Sequence, residues 1–247
     1  MAKYKLANNN LSKVENMKQD DIQEIVMNYY VQMNPEHRYT SFDYCYNYFH
    51  TTSDLTKDME KSCLQLGFYL ASWGMYRGSG FLLQKSVKIF EPIIQYISSL
   101  SDSIWKIDVD NYDLEKIETI KEIYSIIKSK LINNNEADLT LTTKILLGVF
   151  GFIPAFDDYF CKAFRIISNG DCGFRKFNNK SLSVIKKFYD DNKLIIDNLS
   201  KTIHTIDFKT GQITDIKYPK AKIIDMYGFN KSYLIEKEKK EKQKWKN

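Results

Sequence analysis

The chain reads as a mainly α-helical protein with one small β-hairpin near its C-terminus. Three observations predict this. Apolar residues recur at intervals of three and four along most of the 247 residues, the signature of helices with one buried face. Only the stretch after Ile203 alternates apolar and polar residues as a strand does. A composition of 43% hydrophobic and 14% aromatic residues is rich enough to fill a folded core, and the length suits one large or two small domains.

Taken in order, Asp20 to Met33 predicts a first helix with acidic residues in its opening turn, ended by Pro35. Six rings between Tyr39 and Phe49 suit either a core-packing helix or a surface on which bases stack. Asp54 is expected to cap a long helix reaching about Trp73, with Leu55, Met59, Cys63, Leu66 and Leu70 on its buried face. A further helix is expected from Gly80 to about Leu100, kinked or restarted at Pro92. Asp110 or Asn111 should open the next, carrying the stripe Leu114, Ile117, Ile120, Tyr124, Ile127 and Leu131, with a loop at Asn133 to Asn135.

Between Thr140 and Arg165 an apolar helix runs into Phe150-Gly151-Phe152-Ile153-Pro154 and then into Asp157 at the start of another helix. Cys172 sits in a glycine-containing turn between Ser168 and Asn179 with no activating base near it. Ser181 should cap a helix running to about Ile203, followed by a hairpin turning at Lys209 to Gln212 and a short helix after Pro219. No repeat of 20 to 50 residues and no phosphate-binding glycine fingerprint occurs.

Asp157 has two available roles. A carboxylate at an N-cap accepts backbone N–H bonds worth about 1 kcal/mol. Held between Phe156, Tyr159 and Phe160 at a helix N-terminus, it can also stabilise a developing cation or position a water. The nine residues from Ser72 to Gly80 carry Trp73, Tyr76, Arg77 and three glycines between two apolar helices. Glycines allow close backbone approach, Arg77 suits a phosphate or base edge, and Met75 or Tyr76 suits the gap left by an extruded base. Trp73 equally suits core packing, following Phe68, Tyr69 and Leu70.

The order apolar helix, Phe-Gly, Pro-containing turn, Ala155-Phe156-Asp157 and aromatic helix resembles the catalytic corner of the helix-hairpin-helix DNA glycosylase superfamily. Leu66 to Ile93 is similar to the helix, loop and helix that precede the hairpin there. The resemblance implies a two-lobed helical unit over residues 1–235 with the active-site cleft between the lobes; the Lys/Glu composition of 236–247 reads as a basic frayed tail. It implies double-stranded DNA as partner and Asp157 as the essential carboxylate, with Trp73, Met75, Tyr76, Arg77, Phe156 and Tyr159 at the DNA or the base pocket.

The chain departs from that pattern in two places. Asp158 and Tyr159 stand where the superfamily has Thr and His, and the run NNNEADLTLTT lacks the hairpin glycines that form a phosphate nest. Lys144 lies too close to Phe150-Gly151 to match the lysine that forms a Schiff base in strand-cleaving members. The expectation is therefore hydrolytic base excision without lyase chemistry. The base is either damaged, as in DNA repair, or a glucosylated hydroxymethylcytosine of phage DNA, as in phage defence. The rival expectation is a non-catalytic helical nucleic-acid-binding or defence-system interaction protein.

Charge and cysteines exclude other classes. Of the formal +5, the segment from Glu236 to Asn247 contributes +3 through six Lys and three Glu, so the remainder is nearly balanced. Four cysteines without a CxxC pair argue against zinc and against the four-cysteine cluster of some glycosylases. They read as reduced thiols of a cytoplasmic protein. His37, His50 and His204 show no triad or metal-ligand spacing. No cofactor, no membrane association and no obligate protein partner is expected.

Overall fold

A computed structural model describes residues 19–78, 80–132 and 139–244. Ten α-helices and one two-stranded antiparallel sheet are present among them. The helices are α1 (Gln19–Tyr30), α2 (Ser41–Thr51), α3 (Met59–Ser72), α4 (Glu91–Ser98), α5 (Leu114–Leu131), α6 (Leu139–Phe150), α7 (Asp158–Ile167), α8 (Asn179–Asp191), α9 (Lys193–Thr202) and α10 (Lys220–Lys244). The strands are β1 (His204–Ile206) and β2 (Ile213–Lys217). The mainly helical class and the C-terminal hairpin are as the sequence predicts.

Helix α6 forms the centre: every residue from Leu141 to Phe150 is buried. A helix apolar all round has no face to give to water and must be enclosed. Helices α2, α3 and α5 pack against α6, while α10 lies along α7 and α1. Two of the glycines allow rings to pack directly on a helix backbone. A Cβ on Gly148 of α6 would meet the ring of Tyr69, and one on Gly228 of α10 would lie 2.6 Å from Phe160 Cδ2.

Several boundaries differ from expectation, each for a local reason. Asp54 accepts from the Thr56 amide instead of capping a helix, and Asp58 caps α3 through the Lys61 amide. The segment expected to be one helix from Gly80 to Leu100 is two 3-10 turns, Phe81–Gln84 and Val87–Phe90, before α4, which Pro92 opens. Proline lacks an N–H and belongs in a first turn. Asp113, not Asp110 or Asn111, caps α5. Asn178 caps α8, with Ser181 as the reciprocal partner of a capping box. The chain then breaks at Asn192, so the helix expected to reach Ile203 is two. Helix α10 is long, where a short one was expected after Pro219. The expected loop Asn133 to Asn135 and much of the degenerate hairpin run lie outside the described residues.

The hairpin is fastened by a buried carboxylate. Asp43 of α2, fully buried, accepts from the Ile206 amide at 2.8 Å and from the Tyr218 hydroxyl. Burial raises its carboxyl to about 7, against the opposing pull of Tyr218, the Ile206 amide and Lys222.

Candidate functional site

The site begins where α6 ends. Gly151, at φ +71°, closes the helix with its amide on the carbonyls of Leu146 and Leu147. The turn that follows is held by side chains rather than by a backbone ladder. The Ala155 amide donates to Asp225 Oδ1 at 3.0 Å, and the Phe156 amide to Thr143 Oγ1 at 2.8 Å. The Thr140 hydroxyl donates to the Phe156 carbonyl at 3.0 Å. Every one of these backbone groups is buried and would otherwise lack a partner.

This turn delivers Asp157 to the N-cap of α7 with both carboxylate oxygens engaged. Oδ1 accepts from the Phe160 amide at 3.0 Å, which is the capping role. Oδ2 accepts from Lys144 Nζ at 3.1 Å, an ion pair with side-chain exposures of 3% for the lysine and 15% for the aspartate. The lysine that sequence spacing set aside is thus the direct partner of the carboxylate. One sequence signal pointed to it: Lys144 is the one charged residue in a helix otherwise apolar or Thr, and a lysine there needs a partner.

Lys144 Nζ also lies 4.7 Å from the centre of the Trp73 ring. Trp73 in turn stacks on Tyr39, with centroids 4.6 Å apart. Phe229 of α10 meets the edges of Trp73, Tyr39 and Tyr159. These rings wall a cleft of about 910 Å³ whose lining includes Asp157, Lys144, Met75, Arg77, Arg38 and Asn230.

Of the residues expected at the site, Asp157, Trp73, Met75, Arg77 and Tyr159 line the cleft. Phe156 does not: it is 1% exposed and packs within the core against the rings of Phe160, Phe174 and Phe177. Tyr76 also lies outside the lining, its hydroxyl buried. Trp73 is 9% exposed, a wall covered by Tyr39 and lysine rather than an open stacking platform. Arg38, Phe229 and Tyr233 come to the cleft from segments distant in sequence and no local pattern marks them, whereas Tyr39 opens the ring-dense run that suits a base-stacking surface.

The loop after α3 has a plain structural account in part. Gly74, at φ +79°, is the left-handed residue after the Trp73 C-cap of α3, with the Met75 amide on the Leu70 carbonyl. Arg38 donates through Nε and Nη2 to the Ser72 carbonyl and so fixes the loop's first residue. Arg77 remains exposed at the cleft.

Neighbouring groups narrow the chemistry. Cys161, one turn along α7, has its thiol pushed up to about 12 by burial and then by Asp157, which keeps it protonated and unreactive. The Tyr29 hydroxyl, raised by burial, and the Trp73 indole N–H are buried without a hydrogen-bond partner among the described residues. No three His, Cys, Asp or Glu side chains among the described residues are grouped to hold a metal ion. A second cavity of about 410 Å³ between the ends of α2 and α4 contains His50 and Trp105 but no such amine–carboxylate pair at its wall. Burial lowers His50 to about 4, so it is neutral.

A buried amine hydrogen-bonded to a carboxylate in an aromatic-walled cleft can act in two ways. The carboxylate can neutralise a developing cation, and the amine, once it gives up a proton, can attack an electrophilic carbon. No helix of the described residues is long and apolar enough to cross a membrane. Comparison with family models, with curated proteins and with solved structures finds no match to this chain, so the reading of the cleft rests on its own geometry.

Proposed function

We propose that this protein is a DNA glycosylase-like enzyme that extrudes a modified or damaged base into the Tyr39–Trp73–Phe229 cleft and breaks its N-glycosidic bond. The observation that carries the reading is the Lys144–Asp157 pair, 3.1 Å apart and open to the cleft on the Asp157 side. The departing base takes the C1′–N bonding pair. Asp157 supports the positive charge left on the sugar, and Lys144 Nζ forms the new bond to C1′ after passing a proton to the carboxylate or to the base. The adjacent amine favours this capture over the attack by water that the sequence spacing suggested. Ring opening then gives a protonated Schiff base, which hydrolysis or strand cleavage resolves.

Extruding a base costs a few kcal/mol, and stacking on aromatic walls recovers about 1 to 3 kcal/mol per base. Arg77 at the rim suits a phosphate or base edge. A cleft of about 910 Å³ lies at the upper end of the usual range for small-molecule sites. It has room for a base bearing a bulky substituent, such as a glucosylated hydroxymethylcytosine, and this supports phage DNA over lightly damaged bases as substrate.

The second reading is a non-catalytic DNA-binding or defence-system interaction protein. Asp157 already has a capping role, and a second buried Lys–Asp pair, Lys222–Asp225, occurs away from the cleft lining. Two assays separate the readings. Wild type, Asp157→Asn and Lys144→Met are incubated with duplexes carrying unmodified, oxidised, deaminated or glucosylated bases, then treated with alkali. The same proteins are mixed with a duplex containing one abasic site and reduced with borohydride. Breaks on one modified duplex and a covalent adduct, both lost in the variants, are expected. DNA binding with neither breaks nor adduct would favour the non-catalytic reading.

A further inference from the structure

We propose that the buried Lys222–Asp225 pair positions the Lys144–Asp157 pair, acting on the carboxylate through the Ala155 peptide and on the amine through the Trp73 ring. Both residues are on α10, 2% and 4% exposed, and neither lines the cleft. Asp225 divides its two oxygens. Oδ2 accepts from Lys222 Nζ at 2.8 Å, and Oδ1 accepts from the amide of Ala155, two residues before Asp157. Lys222 Nζ lies 4.7 Å from the centre of the Trp73 ring, the same distance as Lys144 Nζ, and 4.7 Å from that of Phe42. One indole therefore touches both ammonium groups.

A buried ion pair is seldom more stabilising than an apolar pair of equal volume. Two such pairs sharing one tryptophan beneath a cleft are thus better explained by placement than by stability. The turn before Asp157 depends on Asp225 for the Ala155 amide. Trp73, which packs against Lys144, is in contact with the ammonium that Asp225 holds.

What the pair is positioned for rests on the function proposed above; that it positions Lys144 does not. The test compares wild type with Asp225→Asn and with the apolar double variant Lys222→Met/Asp225→Leu. Three quantities are read: melting temperature, the rate of borohydride-trapped adduct on a duplex with one abasic site, and the Lys144 Hε–Cε NMR signal, which the Trp73 ring current displaces. The double variant strands no charge but leaves the Ala155 amide without its acceptor, so it is expected to melt about 5 °C below wild type, bind the abasic duplex equally well and trap it about tenfold more slowly or worse, as misplacement of a reacting group does. Its Lys144 signal should move.

Trapping at the wild-type rate with an unmoved Lys144 signal would overturn the proposal and leave the pair a structural one. If wild type itself traps nothing, the chemical reading of Lys144 fails, and the NMR signal alone decides on positioning. If the double variant does not fold, Asp225→Asn, which keeps an acceptor for the Ala155 amide, is judged by the same two readouts.

Discussion

Breaking the Lys144–Asp157 pair from its two ends should cost unequal amounts, and the inequality follows from burial. In Asp157→Asn the cap survives, because Asn serves at N-caps as well as Asp. Lys144, at 3% exposure, then keeps only the Trp73 ring as a partner for its charge. Removing one partner of a buried pair costs about 3 to 5 kcal/mol, and the Trp73 contact, already present in wild type, holds the loss near the lower end, at about 3 kcal/mol. In Lys144→Met the carboxylate left behind is 15% exposed and still holds the Phe160 amide, so about 2 kcal/mol is expected. At roughly 2 to 4 °C per kcal/mol for a chain of this size, the single variants should melt about 10 °C and 5 °C below wild type. The double variant Lys144→Met/Asp157→Asn carries no stranded charge and should lie within about 1 kcal/mol of wild type, a coupling of roughly 4 kcal/mol or more. Thermal unfolding followed by circular dichroism, with urea midpoints at one temperature, closes the cycle. A double variant whose loss equals the sum of the singles would refute the pairing on which the site is built.

Stability should also depend on pH through two buried groups acting in opposite senses. Asp43, raised to about 7 by burial, holds in the native state a proton that the unfolded chain releases near pH 3.9, so its contribution is full below about pH 4 and is lost as pH rises to about 7. His50, lowered to about 4 by burial, contributes fully above about pH 6.5 and loses that contribution as pH falls to about 4. Urea midpoints of Asp43→Asn should therefore fall less steeply than those of wild type between pH 4 and 7, and those of His50→Phe more steeply; unchanged slopes would contradict both burials. Gly148→Ala should destabilise by about 1 to 2 kcal/mol, because overpacking against three atoms of a buried ring, at about 2 to 3 kcal/mol, outweighs a helix-propensity gain of about 1. Its Cβ would lie 2.7 Å from Tyr69 Cδ1, and Tyr69 is 1% exposed. A variant as stable as wild type would mean that the α3–α6 contact is looser than described.

Much of this fold is local and was legible as such. The apolar stripe of α5, the enclosed α6, the hairpin around Thr210-Gly211 and the start of α7 at Asp157 all follow from spacing and capping chemistry within a few residues. Boundaries differ from the local pattern where two neighbouring residues can each cap a helix. Asp58 prevails over Asp54 because Leu55 is buried and its carbonyl accepts from Ser62, which commits residues 54 to 58 to a turn. The length of α10 was hidden by Gly228, which argues against a helix locally but is required by the rings of Phe160 and Phe164 packed against it.

By itself, then, the sequence determined the helical class, most of the elements and the placement of a carboxylate at the start of α7, since these depend on interactions spanning one or two turns of chain. Tertiary structure alone decided the partner of that carboxylate and the walls around it. Lys144 meets Asp157 only because the 151–156 turn reverses the chain between α6 and α7. Tyr39, Trp73 and Phe229 meet only because α10 returns across the ends of α1 and α3. Spacing along a chain encodes which face of a helix a residue occupies; which faces are pressed together is set by the packing of the whole core.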